Sequence, residues 1–353
     1  MNSFQDCNSA YETWLRTQCD VIETDLEYKH ERMRKNPFTF LRATFFRWAR
    51  EIAKICPELA NAPSVLSVGD THTENFGTWR DADARLVWGV NDFDEAAIMP
   101  YPFDLVRLAT SVQLAPGIGL SGHDTSDAIT TGYRSGLRGP RPTLVDERAV
   151  WMRRFVMCTD SDCTKFWEEV QSYPTVEPPA DARRILQSSL PATALLQRFA
   201  SRRKGGGGLG KARFVAIANW QGGQVIREAK ASVPSAWYWA HGVATDISSA
   251  HDLSSGEFRS PDPFLRAEEK FIVRRIAVDS RKLDLGENAG KELDLMAIEA
   301  MGFELGSIHA ASTAQTNAVR ANLDLLPDGW LRDAVGAARD SIEEDYTAWC
   351  SGH

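Results

Sequence analysis

The 353 residues contain no apolar run approaching the roughly 20 that a bilayer-spanning helix requires. No basic segment followed by an apolar stretch opens the chain, so no secretory signal is expected and the protein is read as cytoplasmic, with no membrane partner. Cysteine is scarce. Cys7, Cys19, Cys56, Cys158, Cys163 and Cys350 form neither a CxxC pair nor a dense framework, which points to free thiols in a reducing compartment. Positive charge is in deficit, with 40 Lys and Arg against 48 Asp and Glu and a net charge of −8. That balance argues against broad coating of nucleic acid, while a local basic stripe can still hold a phosphorylated ligand. No internal repeat is present.

What the chain does have is the composition of a soluble globular protein, 43% hydrophobic and 25% charged. Its length exceeds the usual single core, so two lobes are expected, with the cleft between them as the natural place for a ligand. Apolar residues at helical spacing predict a helix over 10–34, broken by Asn36-Pro37, and a second over 38–55. A short run at 65–68 predicts a strand leading into Gly69-Asp70. The run 85–90 predicts a second strand that delivers Asn91-Asp92-Phe93-Asp94. Residues 103–112 read as a helix, and prolines near 140 and 174–179 punctuate a mostly helical middle. The character changes at Gly205-Gly206-Gly207-Gly208-Leu209-Gly210, which is followed by β-like runs at 213–218 and 224–229. A strand over 271–278 and an amphipathic helix over 291–311 follow, with a loop at 245–263 between. The expected division is 1–200, 201–285 and 286–353.

Two acidic motifs carry the chemistry. In Gly69-Asp70-Thr71-His72-Thr73-Glu74-Asn75, an aspartate followed five residues later by asparagine supplies a carboxylate for an attacking hydroxyl and an amide oxygen for a metal, as phosphoryl transfer requires. Asp92 and Asp94 add hard anionic ligands suited to Mg²⁺. Either motif alone also fits a capped turn or a solvated strand end. Together, in this order, they point to a magnesium nucleotide. His72 supports Asp70 in the candidate catalytic set, chiefly by holding the loop in shape.

These residues resemble the aminoglycoside phosphotransferase branch of the protein-kinase-like fold, whose catalytic loop reads HGDxHxxN and whose metal motif begins with a DF pair. Asn36-Pro37-Phe38, GDTHTENFG, NDFDE and Phe103-Asp104-Leu105-Val106-Arg107-Leu108-Ala109 are similar, more closely, to the domain of unknown function family 2252. The resemblance implies an α+β, two-lobed, kinase-like fold with a small β-rich nucleotide lobe and a larger helical lobe. It implies Asp70 as catalytic base, Asn75 and Asp92 as magnesium ligands, Asp94 as a second ligand or an adjacent anion, and Asp104 as a buried brace for the catalytic loop.

In kinases the glycine-rich loop precedes the catalytic loop, whereas here it follows, so a circular permutation is expected. Gly205, Gly206, Gly207, Gly208 and Gly210 would then cover the phosphates of ATP or another nucleoside triphosphate. Either Arg227 or Lys230 would touch them, since strand alternation turns the two to opposite faces. Arg202, Arg203 and Lys204 read as a solvated charged turn, and Arg274, Arg275, Arg281 and Lys282 as a surface cluster. The expected activity is Mg²⁺- and nucleotide-dependent phosphoryl transfer to a small hydroxyl acceptor. The alternatives are a non-catalytic nucleotide binder, a nucleotidyltransferase on the same fold, and a metal-dependent hydrolase built on His72, Asp70, Asp92 and Asp94.

Overall fold

The computed structural model describes residues 3–245, 248–280 and 294–352. Ser3 opens the first helix, Phe4–Gln18, through a reciprocal capping box with Asp6, which satisfies two donors that the first turn would otherwise leave unpaired. The helix expected over 10–34 proves to be two. Glu23–Met33 follows an extended stretch in which Val21 bridges to Lys211. Asn36 then caps Pro37–Ala43 by accepting from the Thr39 amide, with proline at a position where no amide donor is needed. The helix expected over 38–55 also divides, because Thr44 leaves helical geometry and turns its hydroxyl back to the Phe40 carbonyl before Phe45–Ile55 begins.

Strands β1 (Ser64–Ser67), β2 (Phe76–Arg80), β3 (Leu86–Val90), β4 (Ala97–Pro100) and β5 (Thr143–Leu144) form two small antiparallel sheets, β1-β4 and β2-β3-β5. As the sequence pattern implies, β1 leads into Gly69-Asp70 and β3 into Asn91-Asp92. The helix Pro102–Leu114 is buried on nearly every side within the main core, where Phe103, Leu105, Val106 and Leu108 are fully enclosed. Each such side chain stabilises the fold by about 1.5–3 kcal/mol relative to exposure. Two charged residues, Asp104 and Arg107, are buried in the same helix.

A third, five-stranded antiparallel sheet has the order β6-β7-β8-β10-β9, from β6 (Leu195–Ser201), β7 (Arg213–Trp220), β8 (Gly223–Ala231), β9 (Arg266–Glu268) and β10 (Phe271–Ile276). It begins upstream of the boundary expected at residue 201. Alternation along its strands makes two faces. Phe199, Ala216, Ala229 and Val273 pack under the helix Ala180–Ser189 through Ala182, Ile185 and Leu186. Ala200, Val215, Ile217 and Ile226 pack with Val170 of the helix Asp160–Ser172. The rest of that second face is polar and looks into the cleft.

The stretch expected to be a loop at 245–263 carries a short helix, Ala250–Ser254. The helix expected over 291–311 is observed as Leu295–Ala310, with Asp294 as its cap, and residues 291–293 lie outside the described residues. All six cysteines are free thiols, and no described helix is long and apolar enough to cross a membrane.

Candidate active site

The first acidic loop is fixed from beneath by Asp104. Its two carboxylate oxygens accept from the amides of Val68 (2.8 Å) and Gly69 (2.9 Å), and its backbone carbonyl accepts from the Thr71 hydroxyl (2.7 Å). His309, from the helix Leu295–Ala310, reaches the same carboxylate at 3.1 Å, and Tyr133 lies 2.9 Å from the other nitrogen of its ring. Asp104 thus braces the loop, the role the resemblance implied. Gly69 has φ +81°, and a Cβ there would stand 2.1 Å from the Glu95 carbonyl oxygen. Only glycine lets the two acidic loops touch.

Asp70 is held by a residue that motif reading left without a role. Arg107 donates to Asp70 Oδ1 from Nε (2.9 Å) and Nη2 (2.5 Å), and Nη2 also donates to the Leu41 carbonyl (2.7 Å). The guanidinium lies between the rings of Phe45 and Trp48, 5.1 Å from each centroid. Burial pushes the Asp70 carboxyl above its ordinary range despite Arg107. The available signal was a single cation, Arg107, on a mainly apolar helix that also buries Asp104.

Asn75 donates through Nδ2 to the carbonyls of Asp70 (3.0 Å) and Asp92 (3.1 Å), tying the two loops together. Its Oδ1 is buried and meets no hydrogen-bond donor among the described residues. A buried amide oxygen with unused lone pairs, on a loop tied to the Asp92 backbone, suits a hard, oxygen-seeking cation. Among the described residues no group of three or more His, Cys, Asp or Glu side chains is placed to hold a metal ion. His72 is buried beside this loop and lines the cleft, where its carbonyl accepts from the Asn75 amide.

Asp94 is paired with two lysines. Its carboxylate contacts Lys230 and lies 3.5 Å from Lys211 Nζ. Burial pushes the group up, but the two ammonium groups outweigh it and hold the carboxyl below its usual range. Lys230 Nζ also lies 3.5 Å from Asp92 Oδ1. Lys230 thus bridges the carboxylates of Asp92 and Asp94, and Asp94 faces Lys211 as well. Lys211, which the sequence reading did not single out, is buried between Asp94 and Glu95.

The glycine run joins this site although it lies more than a hundred residues away in sequence. A Cβ on Gly207 would sit 3.2 Å from Asp70 Oδ2 and 3.0 Å from the Arg42 carbonyl. One on Gly208 would sit 3.1 Å from Lys230 Nζ. Gly206 runs beside Arg42, the Gly205 carbonyl accepts from Arg32 (3.0 Å), and Gly210 packs on Leu26 away from the carboxylates. Arg227 does not join them. Strand β8 turns it to the opposite face, where it donates to the Ser189 carbonyl (3.1 Å) and stacks 4.1 Å over Phe264. Of the two candidate cations, Lys230 is the one brought to the carboxylates.

Two further expectations are corrected. Arg202 and Arg274, read as a solvated turn and a surface cluster, both bond the fully buried Glu228, at 2.8 and 2.6 Å. Arg203 and Lys204 do behave as half-exposed charges, pairing with Asp25 and Glu169. Arg275 bonds Asp262, while Arg281 and Lys282 lie outside the described residues. The two acidic loops, residues 205–208 and Arg213 border one cavity of about 1200 Å³.

Residues 21–138 match the model of a family described as "Uncharacterized protein conserved in bacteria (DUF2252)". The match supports that family resemblance, and its segment contains both acidic motifs, Asp104 and Arg107. The glycine loop and Lys230 lie beyond it. No curated protein and no solved structure matches the chain.

Proposed function

We propose that this cavity binds a magnesium nucleotide and transfers a phosphoryl group to a hydroxyl acceptor, on a circularly permuted kinase-like fold. The observation that carries the reading is the meeting of distant segments, with Gly207 against Asp70 and Lys230 against Asp92 and Asp94. Protein kinases cover the phosphates with a glycine-rich loop and place the phosphate-contacting lysine on the third strand of the sheet. Here the glycine loop joins the first two strands of the five-stranded sheet, and Lys230 stands on the third. The catalytic-loop motif precedes this sheet in the chain, and the permutation accounts for that order.

In this reading Asp70 Oδ2 accepts the proton of the attacking hydroxyl, while Arg107 occupies Oδ1 and fixes the carboxylate plane. Lys230 leaves its carboxylate partners to offset phosphate charge, and the glycine loop presents backbone amides. Asn75 and Asp92 would hold Mg²⁺, which supplies charge compensation and orientation to the phosphates. The hydrolase alternative needs His72, Asp70, Asp92 and Asp94 as a joint ligand set, but Arg107 holds the Asp70 carboxylate, and that alternative gives the glycine loop against Asp70 no role.

The test is a nucleotide panel with and without Mg²⁺, read by unfolding and by turnover. A ligand at a hundred times its dissociation constant should add about 2.7 kcal/mol to apparent stability. Asp92→Asn should lose the Mg²⁺-dependent part of that gain. Asp70→Asn should keep it and lose turnover by about 10²-fold or more, with slow nucleotide hydrolysis as surrogate. Full turnover in Asp70→Asn together with intact Mg²⁺-nucleotide binding in Asp92→Asn would overturn the assignment.

A further inference from the structure

Beneath the five-stranded sheet, beside Lys230, three guanidiniums converge on one carboxylate. Glu228 is fully buried and accepts from Arg202 (2.8 Å) and Arg274 (2.6 Å), with Arg213 at 3.6 Å. Glu169 lies 3.7 Å from Arg202 but is engaged by Lys204 at 2.9 Å. Two positive charges of this group are therefore left without a matched carboxylate. Arg213 stands out within it. Its side chain is only 6% exposed and borders the cavity, yet its guanidinium meets no hydrogen-bond acceptor among the described residues. A buried cation with unused donors costs stability unless something pairs with it.

Register makes the group part of the ligand site. Arg213 and Lys230 are direct cross-strand partners, and a Cβ on Gly208 would stand 3.6 Å from Arg213 Nη2 as well as 3.1 Å from Lys230 Nζ. The glycine loop therefore runs over both cations.

We propose that Arg213, with Arg202 and Arg274, forms a subsite for a phosphoryl dianion under the sheet. A guanidinium is a planar fork of donors that matches phosphate oxygens in pairs. A phosphoryl group carries a charge of about −1.5 to −2 at neutral pH, which balances the two unmatched positive charges. Burial pulls Arg213 below its ordinary value, Glu228 opposes that pull, and Arg274 and Arg202 add to it. The subsite adjoins the proposed transfer site but does not rest on it, because no metal or transfer step is needed to fill it.

The experiment is calorimetric titration of the full chain with inorganic pyrophosphate in the absence of divalent metal. Wild type should bind, and Arg213→Gln should bind at least tenfold more weakly while its unfolding midpoint stays level or rises. Arg213→Lys, which keeps the charge without the fork, should fall between them. Arg227→Ala, which removes a cation from the opposite face of the same strand, should bind pyrophosphate like wild type, which separates this subsite from a general loss of positive charge. A parallel loss of Mg²⁺-ATP affinity in Arg213→Gln would identify the dianion as the nucleotide's own phosphate. Unchanged Mg²⁺-ATP affinity with weakened pyrophosphate binding would assign it to a phosphate on the acceptor. No pyrophosphate binding by wild type, or equal binding by wild type and Arg213→Gln, would overturn the subsite. So would a fall in the unfolding midpoint of both Arg213 variants without selective loss of affinity, which would make Arg213 a structural ion-pair residue.

Discussion

Replacing Arg107 with methionine isolates the interaction on which the candidate base depends. The wild-type guanidinium is fully buried, donates twice to Asp70 Oδ1 and once to the Leu41 carbonyl, and lies between Phe45 and Trp48. Methionine keeps apolar volume between the rings but strands the Asp70 carboxylate, which is itself only 15% exposed. Removing one partner of a buried pair costs about 3–5 kcal/mol. The freed Leu41 carbonyl adds about 1–3 kcal/mol if no water reaches it. Against a total stability of roughly 5–15 kcal/mol, that is a severe loss.

The loss should depend on pH, with a definite sign. The Asp70 carboxyl titrates above its ordinary value in the folded protein, so its contribution to stability is present below about pH 3.8 and is lost as pH rises through the folded pKa. Without Arg107 that pKa rises further, and the loss grows and extends to higher pH. Urea unfolding at pH 5 and pH 8 measures this directly. Arg107→Met should be most impaired at pH 8, and the double variant with Asp70→Asn should recover most of the loss because no charge is left buried alone. The activity limb governed by Asp70 ionisation should move to higher pH in Arg107→Lys if that variant retains turnover. A loss below 1 kcal/mol in Arg107→Met, or strict additivity with Asp70→Asn, would mean that Arg107 does not sustain a buried Asp70 carboxylate.

Two simpler substitutions bear on other parts of the site. Lys230→Ala should weaken nucleotide binding tenfold or more in a direct titration, whereas Arg227→Ala should leave it within about twofold, since β8 turns Arg227 away toward Ser189 and Phe264. Equal effects of the two would remove β8 from the nucleotide site. Gly69→Ala should lower stability by at least about 2 kcal/mol in thermal unfolding, because the residue has φ +81° and its new Cβ would press on the Glu95 carbonyl. A neutral result there would mean that the two acidic loops part freely.

Local sequence was enough for the parts of this protein that depend on neighbouring residues. Short apolar runs ending in Gly69-Asp70 and Asn91-Asp92 announced strands that deliver carboxylates, and the glycine run between β-like segments announced a loop within a sheet. Asn36-Pro37 announced a helix start, for which a side-chain cap and a fixed φ suffice. Helix continuity was less legible. The breaks at 19–22 and Thr44 come from a bridge to Lys211 and a hydroxyl that turns back on its own helix, neither of which periodicity encodes.

The electrostatic pattern was decided by tertiary structure. Alternation says that Arg227 and Lys230 point oppositely, but only the packing of Ala180–Ser189 on one face of the sheet determines which of them meets Asp92 and Asp94. Arg202 and Arg274 lie more than seventy residues apart and read as surface charge until β6, β8 and β10 come together around Glu228. Arg107 stood in a quoted motif, yet its partner Asp70 lies on another element, and the full burial of Arg107 against a carboxylate only 15% exposed is what makes the pair matter. Sequence carries the identity and local geometry of each charged group. The fold sets the distances and the desolvation, and these determine whether a charge is solvated, paired or left for a ligand.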